Sequence, residues 1–358
     1  MTGNISWGLK SPDIEDLKDL TIWVWTESLW APITFTRAAL SEDASNGGSR
    51  YSSDEWRDWW CSDDAAVYQF IGQDNIFFYC IVQNPLWDAL DWGLITDTPV
   101  ANYHILFMNK KASSSGAIKP PMAEELLEFY TPEQLRAHWL SLGLDQRAVS
   151  FSPKAFDTSV SRKGKDGEPD LLVKDDPRVV DPALKESAFL TNIFNRMARS
   201  CLYGAANACG GHLPISEPHQ EVIDAAQEVL LKYEQLAYGF DAHSALAAVD
   251  EYARAENKRW GEASKAAQGN DEAYDQALAD AFYGLKTITL LMHPAVPEGC
   301  ERIADALNFP HEEFFSWENA FMGPKELAAK LGQSAEEHQL EELPPRFDFF
   351  KAHPSQKN

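Results

Sequence analysis

The chain has 358 residues, 44% of them hydrophobic, 12 of them tryptophan, and a formal net charge of −24. That length and apolar content suit a folded protein with two or three sizeable cores, not a disordered one. The acidic balance argues against sequence-blind binding to nucleic acid, DNA included, which needs a dense basic face to displace counterions. It leaves open a specific RNA contact made by a few local Arg and Lys side chains. Cys61, Cys80, Cys201, Cys209 and Cys300 are scattered, odd in number and without a C-x-x-C pair. Neither a disulfide framework nor a thiolate metal site is indicated, and no metal is expected. The start "MTGNISWGLK" has no apolar signal core. No run approaches the roughly 18 apolar residues of a membrane span. A soluble, cytoplasmic chain is expected.

Taken in order, the first 110 or so residues alternate short β-like and helical runs. "TIWVW" (Thr21–Trp25), "AAVYQFIG" (Ala65–Gly72) and "ANYHILFM" (Ala101–Met108) are β-branched, aromatic and bounded by turn chemistry. Between the last two, "NIFFYCIVQNPLWDAL" repeats its apolar residues at helical spacing. A strand–helix–strand unit of this kind builds a parallel sheet. "DEWRDWWCSDD" (Asp54–Asp64) reads as a surface helix or as a cover over a sheet edge. From Pro121 the texture changes to two short helices split by Thr131 and Pro132, an N-cap and a proline at the first helical position. The charged stretch Ser159–Pro177 contains Gly and Pro and is expected to be a mobile excursion. Four long helical patterns follow, Ala183–Ala208, Glu217–Gly239, Asp241–Gln268 and Asp271–Met292, with a short fifth after Pro297. They predict an up-down bundle. The tail "LEELPPRFDFF" reads as extended and is expected to pack back on the first domain.

The order of particular motifs carries a resemblance. "SWGLKSP" precedes "IWVWTES", then come "FIGQDNIFFY", a strand with "KKASSSG", a bundle, "HPAVPEGCERIADALN" and "FSWENAFMG". This order resembles the methionyl-tRNA synthetases, class I aminoacyl-tRNA ligases, over about the second half of a full enzyme. "FIGQDN" is similar to the family's F-[IV]-G-K-D-[IN] strand end, and "VWTE" to its V-W-x-[DE]. The resemblance implies a partial Rossmann-like parallel sheet over residues 1–120, carrying a degenerate K-M-S-K-S-type loop at 110–116. It implies a connecting region at 121–181, an α-helical anticodon-binding bundle at 182–328 and a tail at 329–358. The fold class is thus α/β followed by all-α.

The same resemblance names site residues. The K-M-S-K-S lysines neutralise ATP phosphate charge as an adenylate forms. Here the loop reads Lys111-Ala112-Ser113-Ser114-Ser115, with the first lysine and the serines Ser113 and Ser115 in place and Ser114 where the second lysine stands. Gly72 and Asp74 match positions that hold ATP or adenylate; Asp74 is otherwise a helix N-cap at the strand–helix junction. Trp25 and Tyr79 fall in the amino-acid pocket, Tyr79 where the family has His, and Gln83 where it has Trp. An amide in place of an indole removes packing for a thioether and adds polar groups that need partners. Trp25 read without the resemblance is a core aromatic. Asn195 and Arg199 lie four apart on one helical face and match residues that hydrogen-bond anticodon bases. Trp260 matches the aromatic on which a splayed base stacks, with Arg259 where the family has Pro. Without the resemblance these are a solvated face and a half-buried packing residue.

Two functions are expected from this. One is a synthetase-like chain that binds tRNA, with a CAU anticodon, as half of a split methionine–tRNA ligase or as a catalytically deficient paralogue. The family's H-I-G-H half of the ATP site is encoded before the matching region begins, so the chain alone is expected to be inactive. It is expected to hold no cofactor tightly, ATP and Mg entering only with a catalytic partner half. The other is a protein-interaction or regulatory module that kept the fold and lost RNA. Either way the first 110 residues are expected to pair with a second copy or with an N-terminal-half chain.

Overall fold

The computed structural model describes the chain except residues 1, 4–6, 23, 49, 95–97, 112–118, 158, 164–168, 174–175, 177–179, 186 and 357–358. It divides into two compact units, residues 1–104 and 105–358.

The first unit is a small α/β body. Strands β1 (Thr2–Gly3) and β2 (Thr21–Ile22) pair antiparallel. The expected strand Thr21–Trp25 stops there, because the chain turns into the short helix α1 (Trp25–Ser28). Helices α2 (Ala31–Ser45) and α3 (Trp56–Trp60) follow. Their contact is an aromatic one: Trp60 donates to Thr36 at 2.9 Å and meets Trp87 edge to face. Strand β3 (Tyr68–Gly72) pairs in parallel with β4 (Thr98–Asn102), joined through a π-helical turn at Phe77–Val82 and helix α4 (Gln83–Leu90). This is the predicted strand–helix–strand unit.

The predicted strand 101–108 is two. β4 ends at Asn102 and β5 (Ile105–Phe107) belongs to the second unit. β5 pairs antiparallel with β6 (Lys110–Lys111) and in parallel with β7 (Val149–Phe151). Met108 and Asn109 both take left-handed φ values, 49° and 61°, which close the tight β5–β6 hairpin. That pairing to β7 moves the boundary from the expected residue 120 to 104. Helices α5 (Ala123–Leu127) and α6 (Pro132–Leu140) flank Thr131, which caps α6 in a reciprocal box with Gln134. The expected excursion holds an antiparallel hairpin, β8 (Ser159–Lys163) with β9 (Pro169–Val173).

The bundle begins with α7 (Ser187–Phe189), a π-helical turn at Leu190–Phe194, and α8 (Asn195–Ala208). Helices α9 (Gln220–Tyr238), α10 (Ala242–Ala266) and α11 (Asp271–Met292) follow as predicted to within a turn at each end. From Ala277 on, α11 is buried on every side, as a helix apolar all round must be. Helices α12 (Pro297–Ala306), α13 (His311–Phe314) and α14 (Pro324–Lys330) complete the unit. The tail is tied into this second unit. Phe349 and Phe350 are buried in the bundle core, and Gln356 donates to the Phe129 carbonyl at 2.9 Å.

Candidate functional site

In the first unit the pocket residues gather around the π-helical turn. Trp25 lies face to face with Phe78 at 4.1 Å and 5°. Tyr79 borders a cavity of about 620 Å³, with Tyr51, Trp59 and Tyr68 among its walls. Gln83, where the resemblance places an indole, is 0% exposed. Its amide donates to the Leu29 carbonyl at 2.6 Å and accepts from Gln69 at 2.6 Å. The amide therefore has its partners and closes this position with polar contacts. Replacing it with Leu removes both bonds and takes the donor from the Leu29 carbonyl, at a cost of about 1–3 kcal/mol. Gln83→Leu is accordingly expected to lower the denaturant midpoint at unchanged m-value, and an unchanged midpoint counts against this reading.

Asp74 sits in the 3-10 turn Gln73–Asn75 and is exposed. The alternative N-cap role is not what it does, since no side chain caps that turn. Its Oδ1 lies over Gly72, where a Cβ would stand 3.0 Å from it. Lys111 is exposed on β6, in the second unit. Ser113, Ser114 and Ser115 lie outside the described residues.

In the second unit, α8 and α10 meet at a hydrogen bond from Trp260 Nε1 to Ser200 Oγ, 2.7 Å. A Cβ at Gly204 would crowd Leu278 and the Tyr274 hydroxyl of α11 at 3.1 Å, while the Trp260 ring lies at an ordinary contact distance of 3.5 Å. Trp260 is 4% exposed and edge to face with Tyr274. Its indole is packed, so in this conformation it offers no face for a base to stack on. Asn195 and Arg199 do share a face of α8, with Tyr203 one turn further, but that face holds the tail. Asn195 Nδ2 and Arg199 both donate to Asp348 Oδ1 at 2.8 Å. Asn195 Oδ1 accepts from the Phe349 backbone at 2.8 Å, and Tyr203 donates to the Pro344 carbonyl at 2.7 Å. Asn195 is 3% exposed. Arg196 and Lys258 stand exposed nearby in sequence on the same two helices, and Arg259 is held by the buried Glu256 at 3.3 Å.

Sequence reasoning missed the tail's part in this site and Glu256 altogether. "RFDFF" held the signal, an acidic residue between large apolar ones, but nothing local ties it to α8, some 150 residues away. Among the described residues no three His, Cys, Asp or Glu side chains come together as a metal site. No described helix is long and apolar enough to cross a membrane.

Comparison with known proteins shows what the chain is similar to. Residues 1–163 match the family model "tRNA synthetases class I (M)". Methionine–tRNA ligase of Methanoculleus marisnigri is 23% identical over 316 residues, 86% of this chain and 41% of that protein. The ligase of Archaeoglobus fulgidus is 22% identical over 319 residues, 87% and 42% respectively. The fold is also that of Mycobacterium tuberculosis methionyl-tRNA synthetase bound by methionyl-adenylate, with a TM-score of 0.65 at 17% identity, covering 98% of this chain and 59% of that one. The fold is thus that of a class I tRNA synthetase, in its α/β-plus-helical-bundle part. The chain is methionyl-tRNA synthetase-like, and it spans about two fifths of the length of the curated relatives it matches.

Proposed function

We propose that this chain is a cytoplasmic tRNA-binding, methionyl-tRNA synthetase-like protein that takes tRNA with a CAU anticodon through α8 and α10. The observation that carries the reading is the α8–α10 junction. The Trp260–Ser200 bond sets the helix of Asn195 and Arg199 beside the helix of Lys258 and Arg259, and Arg196 and Lys258 are exposed on these two helices. Adenylate chemistry is not assigned to the chain by itself. Gln83 fills the amino-acid position with an amide already bonded on both sides, which gives a thioether little to pack against. ATP and Mg, with Lys111, Gly72 and Asp74 at them, belong in this proposal to an assembly with a partner chain. The first unit supports such a partner, either an N-terminal-half chain or a second copy. Val24, Phe77 and Ile81 are exposed there, and a two-stranded parallel sheet is small for a class of sheet normally covered on both faces.

The test is filter binding against CAU tRNA and unrelated tRNAs at several salt concentrations. A preference for the CAU species is expected. Lys258→Ala should weaken binding to all tRNAs alike and lower the salt slope by about one. A specific observation favours a second reading, a protein-interaction module without RNA: the burial of Trp260 and the occupation of Asn195 by the tail. Absence of any tRNA preference, with Lys258→Ala neutral, decides for it.

A further inference from the structure

A groove in the first unit takes no part in the sites described above. It has a volume of about 570 Å³, with Trp30, Arg37, Trp56, Arg57, Leu90 and Trp92 among its walls, a size in the range of ligand clefts. Local structure sets those walls. Helix α4 ends with Asp91 in the left-handed conformation, φ 50°, which turns the chain out of the helix. The Trp92 carbonyl then accepts from Cys61 Sγ at 3.5 Å, fixing this loop to the end of α3. Trp56 and Trp92 meet at 66° with ring centroids 6.0 Å apart, which leaves a notch between the two planes, and Arg57 lies over Trp56 at 4.4 Å.

The polar groups of the groove are nearly all donors, since an indole N–H and a guanidinium accept nothing. Trp59 and Trp60 of α3 have their indole N–H bonded within the protein, to the Ser53 carbonyl at 3.3 Å and the Thr36 hydroxyl at 2.9 Å. The indole N–H groups of Trp30, Trp56 and Trp92, and the Arg37 guanidinium, have no such partner among the described residues. Arg57 pairs with Glu55 at 3.6 Å, both side chains 54% exposed, an ion pair of small worth. An occupant must therefore be apolar in body and rich in acceptors. A β-strand does not suit, because the walls are helices and helix ends and offer no sheet edge. A helix has its carbonyls bonded within itself and leaves the donors unanswered. A polyanion such as single-stranded RNA meets Glu55, Asp58, Asp88 and Asp91, all exposed on α3, α4 or their ends. A polyproline II segment answers each group. Its prolyl rings pack on indole faces, and its carbonyls, free of internal bonds, accept from the indole N–H groups.

We propose that this groove binds a proline-rich segment of a partner protein, held in polyproline II form, with an acidic side chain against Arg37. Such binding needs no tRNA and is independent of α8 and α10. The experiment is fluorescence anisotropy with the full chain and four labelled probes. One is a peptide of nine prolines around a central aspartate; two others replace its prolines with alanine or its aspartate with lysine; the last is a uridine decamer, as single-stranded RNA. The proline–aspartate peptide is expected to bind saturably, and its alanine and lysine versions about tenfold less tightly. Arg37→Glu, at an exposed position of α2, should weaken the aspartate peptide about five- to tenfold and tighten the lysine one. Trp92→Ala, checked first for an intact thermal transition, should weaken both proline peptides about tenfold; if it does not fold, Arg37→Glu decides alone. Equal binding of the proline and alanine peptides, or binding unmoved by Arg37→Glu, overturns the proposal. So does the absence of saturable binding by every probe at millimolar concentration. Binding of the uridine decamer alone, lost in Arg37→Glu, overturns it too and gives the groove to nucleic acid.

Discussion

Trp260→Ala is expected to destabilise the second unit by about 3–5 kcal/mol, the usual cost of truncating a buried tryptophan. The indole is 4% exposed, it meets Tyr274 edge to face, and its N–H bond to Ser200 ties α10 to α8. Spread over a unit of this size, that loss corresponds to about 6–20 °C in the melting transition. The consequence for function is direct. A loss of tRNA affinity in Trp260→Ala reports a loosened α8–α10 junction before it reports a lost stacking platform, which alone is worth about 1–3 kcal/mol per base. Trp260→Phe separates the two, because it keeps most of the buried volume and removes the N–H donor. A melt lowered by under about 2 °C in Trp260→Ala, together with a clear loss of CAU binding, would sink the packed reading and return Trp260 to the role of base platform.

The long helices were legible because their apolar period is regular and their caps are local. Thr131 caps α6 three residues from Gln134, and Asn270 caps α11 by accepting from Ala273. Two of the predicted helical stretches contain a π-helical turn, Phe77–Val82 and Leu190–Phe194, and each leads into a residue of a candidate site, Gln83 and Asn195. A single π turn adds a residue to the repeat, shifts the faces that follow, and is frequent at functional sites. The strand 101–108 was read as one because Tyr103 and His104 look no less β-like than their neighbours; only pairing with β7, over 40 residues on, separates β5 from β4. The positions of Asn195, Arg199 and Trp260 on their helices follow from spacing. Their exposure does not. Whether an indole lies out or in depends on a serine and a tyrosine of other helices, and whether an amide is available depends on a tail that closes a loop of some 150 residues.

The second large effect is on pH dependence, and it arises one turn before Trp260. Glu256 is 2% exposed on α10, beside Gly284 of α11, whose missing Cβ leaves room for it at 3.0 Å. Burial, with Asp280 and Glu221 adding to it and Arg259 opposing it, pushes the carboxyl up to about 7 from an ordinary 4.5. Below about pH 4.5 the group is protonated folded or unfolded, and its contribution to stability is fully present. Between 4.5 and about 7 the folded chain keeps a proton that the unfolded chain has lost, so unfolding releases it and stability falls as pH rises. Above that window both states are ionised and the contribution is gone. The gap corresponds to about 3 kcal/mol, at 1.36 kcal/mol for each decade. Glu256→Gln keeps the shape and removes the titration. The variant should melt with little dependence on pH between 5 and 7 where the wild type loses several degrees, and at pH 8 it should be the more stable of the two. Parallel pH profiles for the two proteins would show that Arg259, at 3.3 Å, holds the carboxylate charged across the range and that burial is not the controlling influence.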